Sequence, residues 1–224
     1  MNDAKRDATD ATAAGDAGAD LAALTDRVRR LIDATVTNRA PAEALRAACA
    51  SVDEAISRLA PHVVDPPPPR YPALSGSAVD VQAIFPYDVV LGRFNPLAVP
   101  VAIEWRDPIA IGRVVFETPY EGPPGCVHGA VIAGAFDQVF NAVNLMRGNP
   151  GPTRRLEIRY AKPTPLRREL RFEGWQERTE GREVFTAGRL VADGVVTAEA
   201  SGVFVQIPPE RVMQLLAAQR TSTE

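Results

Sequence analysis

The segment spanning residues 120–146 constrains the fold most strongly in this sequence of 224 residues. It opens with a run rich in proline and glycine that ends at Gly125, and no proline follows between Gly129 and Met146. This pattern predicts a loop that leads into a helix beginning near Gly129. Apolar residues are distributed around the whole circumference of that helix, so the rest of the chain is expected to enclose it. The sequence therefore predicts a buried central helix.

Four polar residues interrupt the apolar surface of the predicted helix: Asp137, Gln138, Asn141 and Asn144. Helical spacing places them in one narrow stripe. A carboxylate in an apolar wall is unfavourable unless it is paired or lies in a hydrated cleft. The stripe could simply be the solvated face of the helix, but such a face normally carries Lys, Arg or Glu, and none occurs before Arg147. We therefore interpret Asp137 as a candidate functional acid.

The start of the same helix is a candidate oxyanion hole. Unpaired N–H groups converge there, and Gly129 has no side chain to block access to them. Asp137 lies eight residues further on, which is about 12 Å along a helix axis. A base and an oxyanion hole that serve one carbonyl must both lie within about 3 to 4 Å of it. If both features are catalytic, the spacing predicts a two-fold dimer whose sites combine the helix start of one subunit with Asp137 of another.

The run G-x-V-H-G-A-x-x-A-x-x-x-D, which ends at Asp137, resembles the signature of hotdog-fold acyl-CoA thioesterases of the phenylacetic-acid-degradation and thioesterase-superfamily-member-4 type. Thr153, the run LEIRY at 156–160 and the run KPTPL at 162–166 extend the resemblance, which covers about residues 95–206. It implies an α+β hotdog fold, with a long central helix wrapped by a curved antiparallel sheet. It also implies a dimer in which the helix start of one subunit faces the acid of the other.

The resemblance and the local chemistry together suggest roles for five residues. Asp137 would act as general base toward water or as a nucleophile, and the sequence leaves both open. His128 would contact the thioester or fix the loop. The backbone of Gly129 and Ala130 would supply the oxyanion donors, although the family usually has a second glycine where Ala130 stands, so we expect a narrower entrance or an altered substrate range. Thr153 would orient water or the acid, or would be an ordinary strand residue.

Further residues are candidates for substrate binding. The turn at Asn95 is expected to border the acyl pocket, and Asn141 would line that pocket or pack against its neighbours. Seven basic residues gather after the central helix: Arg154, Arg155, Arg159, Lys162, Arg167, Arg168 and Arg171. They would form a solvated strand edge or a docking surface for the phosphates of coenzyme A, with Arg154, Arg155 and Lys162 as the phosphate contacts.

The sequence divides into five parts. Residues 1–20 have no apolar period and are predicted to be a disordered tail. Residues 21–60 predict a helical pair that docks on the sheet or on a partner subunit, and residues 61–78 a proline-rich linker. Residues 79–207 form the predicted hotdog domain, and residues 208–224 a short C-terminal helix and tail. Within the domain, strands are predicted at 98–106, 109–118, 153–161, 168–178, 182–192 and 195–207.

Composition excludes several other classes of protein. The net charge of −3 argues against a nucleic-acid or membrane-surface protein. Two cysteines cannot build a disulfide framework, and no signal peptide or membrane-length apolar run is present, so the expected location is cytoplasmic, without membrane insertion. No glycine-rich dinucleotide motif follows an early strand. His62, His128 and the two cysteines lack the spacing of zinc ligands, so no metal or redox cofactor is expected.

The sequence thus predicts a thioester hydrolase that cleaves acyl-CoA to a free carboxylic acid and CoA, in which CoA is part of the substrate and no separate cofactor is needed. It would act as a homodimer or a dimer of dimers. One alternative is a non-catalytic acyl-CoA-binding hotdog protein. A hydratase that adds water to an enoyl-CoA is less favoured, because no histidine follows Asp137 to pair with it.

Overall fold

The computed structural model describes residues 3–64, 81–99, 101–208, 210, 211 and 214. The helices in this part of the chain are α1 (Asp3–Thr37), α2 (Ala42–Leu59), α3 (Val81–Ile84) and α4 (Gly129–Met146). The strands are β1 (Ala102–Arg106), β2 (Ile109–Val115), β3 (Thr153–Tyr160), β4 (Glu169–Glu180), β5 (Glu183–Ala192) and β6 (Val195–Val205). Helix α4 begins at Gly129, where the sequence predicts it.

The strands form one antiparallel sheet in the order β1-β2-β4-β5-β6-β3. The last three strands, β4, β5 and β6, are joined by short turns and pair in chain order as a meander. Helix α4 packs across the inner face of the sheet, and the α+β hotdog fold is confirmed. Among the described residues β3 pairs only with β6, so its outer edge is free.

A row of small residues lets α4 approach the sheet closely. In the strand register Ala110 lies opposite Gly174, Gly174 opposite Gly188, and Gly188 opposite Ala200. A Cβ atom added at Gly188 would lie 2.6 Å from Cε1 of Phe140, which is closer than van der Waals contact. The middle of α4 therefore rests in a shallow groove that crosses four strands.

Aromatic side chains fill the space around this groove. Phe136, Phe140, Phe172 and Phe204 are fully buried. The rings of Phe136 and Phe172 meet edge to face, with centroids 5.0 Å apart. Burying one such side chain contributes roughly 1.5 to 3 kcal/mol to folding. The core between α4 and the sheet is therefore the main source of stability for the domain.

Helix α1 docks on loops next to α4. It begins at Asp3, so the segment predicted to be disordered is helical from that residue; its many alanines favour a helix even without an apolar period. Ala22 and Thr25 are buried where α1 meets the short 3-10 helix Thr118–Tyr120. Arg29 Nη2 donates hydrogen bonds of 2.8 Å to two carbonyl groups in the loop at 85–99. Helix α1 therefore holds that loop in place.

Helix α2 differs from α1. Both helices of the predicted pair form, but no residue of α2 is buried. Its apolar side remains exposed: the solvent-exposed fractions of Leu45, Ile56 and Leu59 are 45%, 59% and 47%. Among the described residues α1 therefore docks on loops and not on the sheet, docking on a partner subunit stays a prediction, and α2 contributes nothing to the core of its own chain.

The remaining boundaries differ in detail from the predictions. β1 begins at Ala102, four residues later than predicted, and β2 ends at Val115, before the 3-10 helix. The predicted linker at 61–78 lies outside the described residues from position 65 on, and the predicted C-terminal helix at 208–224 lies largely outside them. None of the described helices combines the length and apolarity needed to cross a membrane.

Candidate functional site

One side of α4 is not covered by the sheet, and it carries the polar residues. Asp137, Gln138 and Asn141 lie on this side and are partly buried. Asn144 does not join them: it is fully buried, and its Oδ1 accepts a hydrogen bond of 2.8 Å from Thr186 on β5. The predicted stripe of four polar residues is therefore wrong at Asn144, which turns toward the sheet. Asp137, Gln138 and Asn141 remain together on the side of α4 that faces away from the sheet.

Asp137 is the centre of a hydrogen-bonded group. Its Oδ1 accepts a hydrogen bond of 2.5 Å from the hydroxyl of Thr153, and its Oδ2 accepts one of 3.3 Å from Nδ2 of Asn141. Burial raises the pKa of the Asp137 carboxyl above its ordinary value; the hydrogen bond from Thr153 lowers that pKa, and the negative charge of Asp88 raises it. The net effect is a raised pKa, which makes Asp137 a stronger base than a solvated aspartate.

A β-bulge directs Thr153 toward Asp137. Two residue steps on β3, from Thr153 to Arg155, match one step on β6. In a regular strand Thr153 would point away from the face that carries Leu156 and Ile158, because side chains alternate. The extra residue reverses the alternation, so Thr153 shares that face and reaches the acid. Bulges commonly re-aim a side chain in this way.

A second carboxylate, Asp88, lies beside the site in the loop that α1 holds. Its Oδ1 accepts hydrogen bonds from the N–H groups of Val90 and Leu91, at 2.7 and 2.8 Å. Its Oδ2 accepts a hydrogen bond of 3.1 Å from Nε2 of Gln138. Asp88 is thus fixed next to the helix residue that follows Asp137. Asp88 was not predicted from the sequence, because its contact joins residues fifty positions apart and no local pattern signals it.

The start of α4 is held by His128, the residue before the helix. Its Nδ1 accepts a hydrogen bond of 3.0 Å from the N–H group of Ala130, and its own N–H group donates to the carbonyl oxygen of Tyr120. The N–H group of Gly129 donates no hydrogen bond within the described part of the chain. The N–H group of Gly129 is therefore available as an oxyanion donor. The N–H group of Ala130, the other predicted donor, is already bonded to the ring of His128.

Tyr160 contacts the same helix start from β3. Its hydroxyl donates a hydrogen bond of 2.8 Å to the carbonyl oxygen of Gly129. Burial raises the pKa of the Tyr160 phenol, so its proton is retained. One strand thus carries Thr153 beside the acid at one end and Tyr160 beside the helix start at the other. Tyr160 was not among the predicted site residues, although the alternation of β3 places it on the same face as Leu156.

Asn95 serves the loop in which it lies. Its Nδ2 donates to the carbonyl oxygen of Tyr87 at 3.2 Å, and its Oδ1 accepts from the N–H group of Leu97 at 3.0 Å. Both polar groups of the side chain are therefore engaged within the loop. This arrangement favours a scaffolding role over a direct contact with a ligand.

The predicted basic cluster is mostly paired with acidic residues. Five members form ion pairs: Arg154 with Glu183, Arg155 with Glu157, Arg159 with Glu199, Arg167 with Glu117 and Arg171 with Glu173. Lys162 and Arg168 are exposed and have no ion pair with any described residue. Lys162 follows β3 closely, on the side of Tyr160 and the helix start. Of the three predicted phosphate contacts, Lys162 is therefore the one free to bind an anion.

An open cavity of about 430 Å³ lies elsewhere, at the C-terminal end of α4. It is lined by Trp105, Asp107, Met146, Arg147, Asn149 and Gln176. It contains none of the residues predicted to be functional.

Comparisons with known proteins complete the description of the site. No protein-family model matches the chain. A crystal structure of a thioesterase superfamily protein is 34% identical, with a TM-score of 0.69, and the match covers 83% of this chain and 94% of that one. The matched 83% of the chain is longer than residues 79–224. The similarity therefore includes part of the N-terminal helical region as well.

Two curated relatives match a shorter part of the chain. Acyl-coenzyme A thioesterase THEM4 of Xenopus laevis is 33% identical over 94 residues, which are 41% of this chain and 42% of the relative. The protein of the same name from Bos taurus is 30% identical over 96 residues, which are 42% of this chain and 39% of the relative. The chain therefore spans about two fifths of the length of these relatives.

Proposed function

The chain belongs to the thioesterase superfamily, and we propose that it hydrolyses the thioester bond of an acyl-CoA to a free carboxylic acid and CoA. The observation that carries this proposal is the Asp137 carboxylate, held by Thr153 and Asn141 on the uncovered side of α4. Curated relatives named acyl-coenzyme A thioesterase support the choice of substrate class.

Asp137 would activate water for attack on the thioester carbonyl. The water oxygen bonds to the carbonyl carbon while Asp137 accepts its proton, and the N–H group of Gly129 stabilises the negative charge on the carbonyl oxygen. The tetrahedral intermediate then collapses, the carbon–sulfur bond breaks, and the departing sulfur takes up the proton. The products are a carboxylic acid and free CoA. In the alternative route an Asp137 oxygen attacks the carbonyl carbon directly, the carbon–sulfur bond breaks and CoA departs as its thiolate; water then hydrolyses the resulting anhydride to the free acid and restores Asp137.

The active unit would be a homodimer or a dimer of dimers. Within one chain Asp137 and Gly129 are eight residues apart on α4, about 12 Å along the axis, and cannot serve one carbonyl. The free edge of β3 offers a way to bring two copies together. Antiparallel pairing of two β3 strands would bring the Thr153 end of one near the Tyr160 end of the other. Asp137 would then face Gly129 of the partner subunit.

Binding of the CoA phosphates would involve Lys162. Its ammonium group has no ion pair with any described residue, and the residue lies two positions after Tyr160, next to the proposed shared site. Arg154 and Arg155 would have to leave Glu183 and Glu157 before they could contact a phosphate. Because exposed ion pairs contribute at most about 1 kcal/mol, such an exchange is accessible.

A thiol-release assay tests this function. Short-chain, long-chain and aromatic acyl-CoAs would be offered to the wild type, to Asp137→Asn and to the matched control Asp193→Asn. Asp193 lies in the exposed β5–β6 turn with φ 48°, a conformation that asparagine also adopts readily. We expect Asp137→Asn to lower kcat by about 100-fold to 10,000-fold and the control to leave it unchanged. Equal, slow release by the wild type and Asp137→Asn would instead support a non-catalytic acyl-CoA-binding protein.

A further inference from the structure

The peptide group between Gly129 and Ala130 is held at both of its polar atoms. Its carbonyl oxygen accepts the hydrogen bond of 2.8 Å from the Tyr160 hydroxyl, and its N–H group donates the hydrogen bond of 3.0 Å to Nδ1 of His128. The two restraints come from different elements, the strand β3 and the loop before α4. The first peptide group of the helix is thus clamped from two directions.

The packing of Tyr160 also explains why residue 129 is a glycine. A Cβ atom added at Gly129 would lie 3.2 Å from the Tyr160 hydroxyl oxygen and 3.3 Å from Cζ of the ring. Both distances are shorter than comfortable van der Waals contact, so a larger residue would push the phenol away. Glycine, however, is the residue with the greatest backbone freedom. The hydrogen bond from Tyr160 restrains it from the side of the sheet.

We propose that Tyr160 is a positioning residue: by clamping the Gly129–Ala130 peptide it fixes the backbone on the far side of Gly129, so that the N–H group of Gly129, which belongs to the preceding peptide, stays directed at the thioester oxygen. This inference rests on the proposed function for its effect on turnover. The N–H group of Ala130 is already engaged with His128, which leaves Gly129 as the donor for the substrate. An oxyanion donor is effective only when it is held in place before charge develops, and the clamp provides that restraint.

The position of Tyr160 links the two halves of the proposed site. Thr153 and Tyr160 lie at the two ends of β3, so the same strand holds the acid at one end and the helix start at the other. In a dimer built on β3, the strand therefore sets the distance between the acid of one subunit and the donor of the other. A loose helix start would impair the reaction without removing any group that contacts CoA.

Replacement of Tyr160 by phenylalanine tests the clamp. The matched control is Tyr87→Phe, since the Tyr87 ring packs at a tilt against Phe94, with centroids 5.5 Å apart, and its hydroxyl makes no hydrogen bond with a described residue. We expect Tyr160→Phe to lower kcat about tenfold and to leave KM within about twofold, because the donor acts on the transition state and not on substrate binding. The control should leave both constants unchanged.

Hydrogen–deuterium exchange of the peptide covering residues 126–133 gives a readout that does not depend on turnover. We expect faster exchange at the helix start in Tyr160→Phe and no change in Tyr87→Phe. Faster exchange with an unaltered kcat would overturn the positioning role, and unaltered exchange would overturn the clamp. If the wild type released no thiol from any acyl-CoA, the proposed function would fail, and the role of Tyr160 in turnover would fail with it. The exchange measurement would still decide whether Tyr160 orders the helix start.

Discussion

The hydroxyl of Thr153 lies 2.5 Å from Oδ1 of Asp137 because β3 contains one extra residue between Thr153 and Arg155. The hydrogen bond stabilises the charged form of the acid and opposes the effect of burial on its pKa. It also leaves Oδ2, whose contact with Asn141 is longer at 3.3 Å, as the oxygen better placed to accept a proton from water. The bulge therefore affects both the charge and the orientation of the candidate base.

Removal of this hydroxyl should shift the pH dependence of the reaction toward alkaline pH. Thr153→Val preserves the shape of the side chain but cannot donate, so the pKa of Asp137 should rise further and the acid limb of kcat/KM should move to higher pH. Loss of a hydrogen bond to a charged group should lower kcat/KM about tenfold near neutral pH. Thr153→Ser is the control and should retain the wild-type profile. An unchanged acid limb in Thr153→Val would contradict a role for Asp137 as the titrating base.

Replacement of Asp88 should have the opposite effect. Asp88→Asn keeps an oxygen for the N–H groups of Val90 and Leu91 but removes the negative charge that contributes to the raised pKa of Asp137. The pKa of Asp137 should fall, so the acid limb of kcat/KM should move to lower pH. Titration of activity from acid to neutral pH measures the shift. A shift in the same direction as that of Thr153→Val would show that loop displacement, and not charge, governs the profile.

Asp137 should reduce the stability of the folded chain at neutral pH. The pKa of Asp137 is raised in the folded chain, so folding favours the protonated carboxyl over the ionised one. The stability that depends on the protonated form is fully present below the unfolded pKa of about 3.9 and is lost as pH rises through the folded pKa. Asp137→Asn cannot ionise and keeps an acceptor for Thr153. We therefore expect a higher Tm than the wild type at pH 7, with a smaller difference on acidification toward pH 3. A lower Tm at pH 7 would indicate that the ionised acid is stabilised by contacts that outweigh its burial.

The groove that receives α4 should not tolerate an added methyl group. A Cβ atom at Gly188 would lie 2.4 Å from the backbone oxygen of Glu173 as well as 2.6 Å from the Phe140 ring. We expect Gly188→Ala to lower the free energy of unfolding by about 1 to 3 kcal/mol, measured by denaturant titration. Gly18→Ala is the control: it lies in α1 with open space around it and should be neutral or stabilising by up to about 1 kcal/mol. Equal effects of the two changes would mean that α4 can move away from the sheet.

The features that sequence reasoning predicted well are those with a strong local period. Proline, glycine and the unbroken apolar run located the start of α4 at Gly129, and the alternation of Leu156 and Ile158 located β3. The breaks predicted between 178 and 182 and between 192 and 195 separated the last three strands. These features depend on residues close together in the chain, so pattern and propensity were sufficient.

The features that were missed depend on register or on distant contacts. A bulge arises from the match between two strands, so the direction of Thr153 could not be derived from β3 alone. The contact of Asp88 with Gln138 requires the loop at 85–99 to fold over α4. Helical spacing placed Asn144 beside Asn141, but the position of β5 decided that Asn144 is buried. The site was thus predictable as a set of residue types, and its final geometry required the assembled sheet.

The proposed sharing of the site between subunits can be tested by complementation. Asp137→Asn removes the acid, and Gly129→Val introduces a branched side chain at a position where even a Cβ atom would crowd Tyr160. Each variant alone should be strongly impaired in thiol release. In a heterodimer of the two, one site would carry both lesions and the other neither, because each site takes its acid from one subunit and its donor from the other.

Coexpression of the two variants should therefore restore activity. With random pairing half of the dimers are mixed and each mixed dimer has one intact site, so we expect about a quarter of the wild-type rate. The control is a double variant that carries both changes in one chain, coexpressed with the wild type: its mixed dimers would have two damaged sites and add no activity. Differently tagged copies of the two variants, purified on both tags in turn, would establish that mixed dimers are present. If they form and no activity returns, both groups act within one chain, and the β3-paired arrangement must be abandoned.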